Sequence, residues 1–425
     1  MNLGDLVEVK TKGKTYKGVF VPSTDPKMLV LKLENGYNIG IEKEKIVAVK
    51  VLEVYKEPVL ERGVVQDQGL KRVMILHTGG TIASKVSYKT GGVVARFSPE
   101  EILEMFPELE RIANIETRLV RNMFSEDMRF AHYNLLGREI EREVKKGVDG
   151  IIVTHGTDTL HYSSAALAFM LENLPISVVL VGAQRSSDRA SSDAGLNLLC
   201  AAHFITKAGF KGVAVCMHES SGDDACLVLP SCKMRKMHTS RRDAFKVVNG
   251  LPLAQVWKSG EVEKLSDFPE TAGKFKVSLF KEKVRVGVLK AHPNMNVEEA
   301  KAYEKFDGLV LEGTGLGHLP VNGIDEFTKE HSLILKEIEK LSKKMPVVMA
   351  SQCVFGRVNM GVYESGRKLL AAGVLGNLLD MTPETAFIKL AWLLSNYKGK
   401  DVRVLVGKNL RGEISERSEF VDEFV

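Results

Sequence analysis

Cysteine is scarce in this chain and nowhere spaced for pairing. The 5 cysteines among 425 residues are Cys200, Cys216, Cys226, Cys232 and Cys353, with no Cys-x-x-Cys among them. That leaves no even disulfide framework, and it fits a reducing compartment. Long apolar runs are missing too: none reaches the roughly 18 residues a membrane-crossing helix needs. The opening Met1-Asn-Leu-Gly-Asp-Leu6 lacks the basic, apolar and small-residue order of a secretion signal, so a cytoplasmic protein is expected. Charge of one sign is not in excess. Lys and Arg number 59 against 54 Asp and Glu, and a net charge of +5 neither demands nor opposes a nucleic-acid partner. Nor is there a Gly-x-x-x-x-Gly-Lys-Ser/Thr loop, so the usual cradle for ATP phosphates is absent.

What remains is an ordinary soluble composition, 44% hydrophobic and 27% charged, in a chain long enough for two or three domains. Residues 1–56 carry short, partly alternating apolar runs at 6–10, 16–21, 28–33, 37–41 and 46–51, with Asn35-Gly36 as a hairpin turn. Five strands without a helix predict a small SH3- or Sm-like β-barrel. Its 10 lysines against 7 acids read as a solvated face, with RNA or protein docking as the alternative. Residues 57–71 read as a linker.

From residue 72 the rhythm becomes strand, helix, strand, which predicts a mostly parallel α/β sheet. Strands are expected at 73–76, 150–154, 178–182 and 212–217. Helices are expected from Ser98 to Phe106 and at 134–146, 160–173 and 193–207. A polar stretch near 258–281 closes a domain spanning 72–260. A second α/β domain, 282–425, follows, with strands near 284–290, 307–312 and 346–350 and helices at 297–305, 325–342 and 383–396.

Two threonine-glycine clusters end apolar strands: Thr78-Gly-Gly-Thr81 and Thr154-His-Gly-Thr157-Asp158-Thr159. Ligands bind at the carboxyl ends of strands in open α/β sheets, and glycine lets backbone N–H groups come close to a reacting carbonyl. A hydroxyl there becomes a nucleophile only if a base removes its proton and donors hold the oxyanion. Thr81 and Thr157 are the candidates, with helix capping as the alternative for Thr81 and, in the second cluster, for Asp158 or Thr159. Asp158 fits an orienting or amine-binding carboxylate. The cation-rich run Lys233-Met-Arg-Lys236-Met-His-Thr-Ser-Arg241-Arg242 offers Lys236 as a base, since crowded cations disfavour its protonation. A solvated basic loop or a phosphate-contact patch are the other readings. His155 and His161 lack a third ligand at useful spacing. Gly313-Thr-Gly315-Leu-Gly317 lacks the third-glycine spacing of a dinucleotide loop.

Taken together, residues 72–400 resemble the L-asparaginase/glutaminase family. The motifs that carry this are Thr78-Gly-Gly-Thr-Ile-Ala83, Ile152-Val-Thr-His-Gly-Thr-Asp-Thr159, Val181-Gly-Ala-Gln-Arg185 and the lysine loop ending at Phe245. The resemblance implies a two-domain asparaginase-like fold. It implies Thr81 as nucleophile, with Thr157, Asp158 and Lys236 as an activating set, and no metal. It also implies substrate contacts from Ser125, from Glu126 where the family has glutamine, from the Ala183 carbonyl and from Tyr88. Tyr88 would lie on a closing loop with Gly91-Gly92. The barrel and the tail Lys408–Glu416 further resemble the asparaginase-like subunits of archaeal tRNA-dependent amidotransferases. That implies ammonia release from glutamine without a cofactor in this chain. A partner, the E-type subunit of such enzymes, would bind Glu-tRNA(Gln) and use ATP and Mg, and the core would be a homodimer. A free-standing cytoplasmic L-asparaginase is the alternative. A binding scaffold on a degenerate fold is less consistent with the intact Thr81, Thr157, Asp158 and Lys236.

Overall fold

Period-two alternation governs the N-terminal segment of the computed structural model, which describes residues 5–21, 23, 25–33, 38–54, 67, 69–80, 84–86, 93–95, 105–185 and 191–418. β1 (Leu6–Thr11), β2 (Thr15–Val21), β3 (Met28–Lys32), β4 (Asn38–Glu42) and β5 (Ile46–Glu53) pair antiparallel in the order β4-β3-β2-β1-β5. Val7, Val9, Leu29, Leu31 and Ile41 point to one side and form a small separate core. The expected hairpin is present, since Lys32 lies opposite Asn38, although Asn35 and Gly36 are outside the described residues. Lys10, Lys12, Lys14, Lys17, Lys43 and Lys45 are exposed, as a solvated face requires.

The second region is built on an eight-stranded sheet. Its strands are β6 (Arg72–Gly79), β7 (Asn114–Met123), β8 (Gly150–Thr154), β9 (Ser177–Val181), β10 (Gly212–His218), β11 (Ala225–Pro230), β12 (Ala254–Trp257) and β13 (Val262–Lys264). The order is β13-β12-β11-β10-β9-β8-β6-β7. The run from β10 to β7 is parallel, and β11 to β13 add antiparallel strands at one side. Parallel strands covered on both faces need apolar residues at every position. In β6, Val73 and Ile75 pack with α3 (Ala194–Lys207), while Met74 and Leu76 face α1 (Phe130–Lys145) and α2 (Leu160–Met170).

The third region carries β14 (Val286–Lys290), β15 (Gly308–Gly313) and β16 (Val347–Ser351), all parallel. The helices there include α4 (Val297–Lys301), α5 (His331–Lys344), α6 (Glu364–Ala371), α7 (Pro383–Asn396) and α8 (Gly399–Leu405). Trp392 of α7 is fully buried, packs against Phe169 of α2 with ring centroids 5.6 Å apart and donates to the Ser278 carbonyl at 3.0 Å. The two α/β regions therefore share one core.

α1 starts at Phe130 instead of 134 and α4 ends at Lys301 instead of 305, and two further helices differ from expectation for local reasons. α5 starts at His331, not near 325, because Asp325 and Thr328 close a side-chain turn: the Thr328 hydroxyl takes the Ile324 and Asp325 N–H groups. α2 stops at Met170 because Leu171 and Glu172 leave to pair with Val277 and Lys276, and Asn173 takes a φ of 53°. The helix expected from Ser98 lies almost wholly outside the described residues.

Candidate active site

Parallel pairing of β6 with β8 brings the two threonine-glycine clusters side by side, with Thr154 opposite His77. Buried bonds lock them: Thr78 Oγ1 donates to the Thr154 carbonyl at 2.9 Å, and His77 Nδ1 lies 2.8 Å from Thr154 Oγ1. Beyond the strands the backbones nearly touch. Gly80 has φ +81°, and a Cβ there would sit 2.5 Å from the Gly156 nitrogen, so only glycine serves. A Cβ on Gly156 would meet Ser125 Oγ at 2.9 Å, and one on Gly182 would meet Thr157 Cγ2 at 2.8 Å. Four segments thus converge at the carboxyl ends of β6, β8 and β9 and the turn after β7.

Thr157 and Asp158 are not caps. The residue before α2 is Thr159; it makes no side-chain cap bond and instead donates its hydroxyl to the Ser125 carbonyl at 2.6 Å. Lys236 comes from a small hairpin, Met234–Lys236 paired with Phe245–Val247. Its ammonium donates to Thr157 Oγ1 at 2.8 Å and to Asp158 Oδ1 at 2.7 Å. The Lys236 side chain is 10% exposed and that of Asp158 is 67% exposed, so the carboxylate opens outward while the ammonium is covered. The basic run is not a free phosphate patch. Lys233 pairs with Asp380, Arg235 with Glu384, Arg241 with Asp243 and Arg242 with Asp223.

Thr157, Asp158 and Lys236 are thus brought together. Ser125 is buried against Gly156, Glu126 is exposed in the same turn, and buried Ala183 follows the Gly182 that touches Thr157. Thr81 directly follows Gly80, but Thr81, Tyr88, Gly91 and Gly92 lie outside the described residues. His155 and His161 are structural neighbours of the site. His155 donates from Nδ1 to the Gly156 carbonyl at 2.7 Å and accepts from Ser163 at 2.8 Å, which sequence spacing did not disclose. Among the described residues no group of three or more His, Cys, Asp or Glu is placed to hold a metal. The Gly313–Gly317 segment closes a tight turn by a bridge between Thr314 and His318, packed on Met349, and opens no helix.

Comparison with known proteins gives the same architecture. The asparaginase N-terminal family matches residues 72–269, the glutaminase/asparaginase C-terminal domain matches 285–404, and the GatD N-terminal domain matches 1–52. The thermostable L-asparaginase from Thermococcus kodakarensis superposes with a TM-score of 0.71 at 32% identity, covering 81% of this chain and 100% of that one. The D-type subunit of the glutamyl-tRNA(Gln) amidotransferase of Pyrococcus abyssi is 42% identical, spanning 99% of this chain and 96% of that protein. The corresponding subunit of Archaeoglobus fulgidus is 43% identical over 98% of this chain and 96% of its own length. The chain belongs to the GatD family of amidotransferase subunits. The asparaginase structure leaves 19% of this chain uncovered (100% less 81%), whereas the GatD relatives extend through it.

In this GatD family member, burial holds both site histidines neutral. It lowers the pKa of His155 to about 4, and that of His161 to about 4 with help from Arg235 and Lys236, from an ordinary 6.5. Below pH 6.5 the unfolded chain takes up protons that the folded one refuses, so stability falls as pH drops from about 6.5 towards about 4 and then levels. At pH 5 the loss is about 2 kcal/mol per histidine. Urea melts at pH 7 and 5 check this: His161→Gln should lose about 2 kcal/mol less than the parent between the two pH values. Identical drops in the two proteins would rule His161 out as a source.

Proposed function

We propose that this chain is the glutaminase subunit of a tRNA-dependent amidotransferase. The observation that carries the reading is the Lys236 ammonium bridging Thr157 and Asp158 beside Gly80, in a chain matched over 99% of its length by GatD relatives. Thr81 attacks the side-chain amide carbonyl of glutamine. Backbone N–H groups at Thr81 and Thr157 hold the oxyanion; the C–N bond then breaks as the nitrogen takes the proton that the Thr81 hydroxyl gave up, so that ammonia leaves and an acyl-threonine ester remains. Water, activated by the Thr157–Lys236–Asp158 set, cleaves that ester to glutamate and restores Thr81. Ser125, Glu126 and Asp158 hold the α-carboxylate and α-amino groups, the Ala183 carbonyl receives the amide nitrogen, and Tyr88 closes the site.

The chain divides into the barrel (1–56), a linker (57–71), the site-bearing domain (72–260) and the second α/β domain (282–425). It works in the cytoplasm around a homodimeric core and needs no cofactor. Its E-type partner binds Glu-tRNA(Gln), uses ATP and Mg to activate the glutamate, and receives the ammonia. No described helix is long and apolar enough to cross a membrane. A free-standing L-asparaginase would use the same side chains, so the discriminating measurement is ammonia release from glutamine and asparagine, with Thr81→Ala as blank. Glutamine turnover that rises on adding partner and Glu-tRNA supports the proposal. Brisk asparagine turnover indifferent to both overturns it.

A further inference from the structure

The C-terminal tail is wired to the strand that carries Lys236. The C-terminal family match ends at residue 404, yet the described chain continues to 418. Those added residues are not loose. Glu413 is fully buried against Lys389 at 2.6 Å, and Arg411 donates to the Ala168 carbonyl at 2.9 Å. Ser415 ends up at Lys233, three residues before Lys236. Lys233 Nζ donates to Ser415 Oγ at 2.7 Å, to Asp380 Oδ2 at 2.6 Å and to the Asn249 carbonyl at 2.9 Å. The other Asp380 oxygen takes the Ser415 backbone N–H at 3.1 Å, which closes a ring of three residues from three parts of the chain.

This ring grips both ends of the Lys236 hairpin. Lys233 precedes one strand, and Asn249 follows the other, with the Val248 N–H bonded to the Lys233 carbonyl at 2.9 Å. Arg235, between Lys233 and Lys236, is held by Glu384 at 2.8 Å. Lys233 and Asp380 are nearly dry, with 7% and 2% of their side chains exposed. Desolvation offsets most of the attraction of such a pair, so stability alone does not explain it; a directional tie is what an apolar pair could not supply.

We propose that Lys233, Asp380 and Ser415 are positioning residues for amide hydrolysis: through them the tail sets where the Lys236 ammonium stands relative to Thr157. The inference rests on the glutaminase reading of the site. It deepens that reading by making the tail, which the asparaginase family match does not include, a point where turnover is controlled.

The test uses the full chain with its partner subunit and Glu-tRNA, following ammonia release from glutamine. Ser415→Ala and, separately, Lys233→Gln are expected to lower kcat about tenfold while KM stays within about twofold. The Ser415→Ala melting point should stay within about 2 °C of the parent, and Ser415→Thr should restore kcat. Unchanged kcat in both variants overturns the inference and leaves the glutaminase reading standing. So does a loss in Ser415→Ala that tracks its melting point, or one that Ser415→Thr fails to restore. A parent that releases no ammonia overturns the glutaminase reading and this inference with it.

Discussion

Replacing Lys236 with methionine should lower kcat for glutamine hydrolysis about 10³-fold, with KM changed only severalfold. Methionine fills nearly the same space, and the Lys236 side chain is 10% exposed, so the hairpin should hold. What disappears is the ammonium that donates to Thr157 Oγ1 and Asp158 Oδ1 together. Thr157 then keeps its hydroxyl but loses the group that fixes its direction and exchanges its proton. Asp158→Asn should behave differently. Its remaining oxygen still accepts from Lys236, so kcat falls less, and the loss appears in KM because an exposed carboxylate no longer meets the substrate's amino group. Removing both Thr81 and Lys236 should be scarcely worse than Thr81→Ala alone if the two serve one chemical step. Steady-state ammonia release across these variants decides it. A Lys236→Met protein turning over within about threefold of the parent would remove Lys236 from the reaction.

Much of this arrangement was legible because it is local. β8 was read residue for residue from Gly150-Ile-Ile-Val-Thr154, where β-branched residues run unbroken into a glycine turn. The five N-terminal strands were readable from alternation, with shifts of one or two residues at their ends. β7 was not seen, because Asn114-Ile-Glu-Thr-Arg-Leu-Val-Arg-Asn-Met123 mixes charge into an edge strand whose outer face meets water. The site divides the same way. Thr157 and Asp158 stand in one motif, whereas the approach of Lys236 depends on a hairpin 79 residues away in sequence from Thr157. Its meeting with them came from family resemblance, not from spacing. The Lys233–Asp380–Ser415 ring was invisible for a stronger reason. It joins positions 147 and 182 residues apart, and nothing periodic links them.

Lys389→Met should cost about 3–5 kcal/mol, the largest stability loss expected of any single change here, because it leaves a buried carboxylate without its cation. Lys389 and Glu413 are both fully buried and 2.6 Å apart, and burial lowers the Lys389 pKa even with Glu413 beside it. Lys389 also donates to the Val406 and Lys408 carbonyls at 2.9 and 2.6 Å, while Glu413 takes the Leu410 and Arg411 N–H groups. The pair therefore organises the turn that returns the tail to the core. Lys389→Met with Glu413→Leu should recover part of the loss, since no charge is then stranded. Full recovery is not expected, because the two N–H groups lose their acceptor. The chain has an easier escape than global unfolding: the tail can undock and let Glu413 reach water. The cost is then capped at the free energy of docking. Protease cutting between 409 and 418 should rise, and ammonia release should fall before the core melts. Urea melts and cleavage mapping on the same samples separate the two outcomes. Lys389→Met melting within about 1 kcal/mol of the parent, with the tail still protected, would show that the pair anchors nothing.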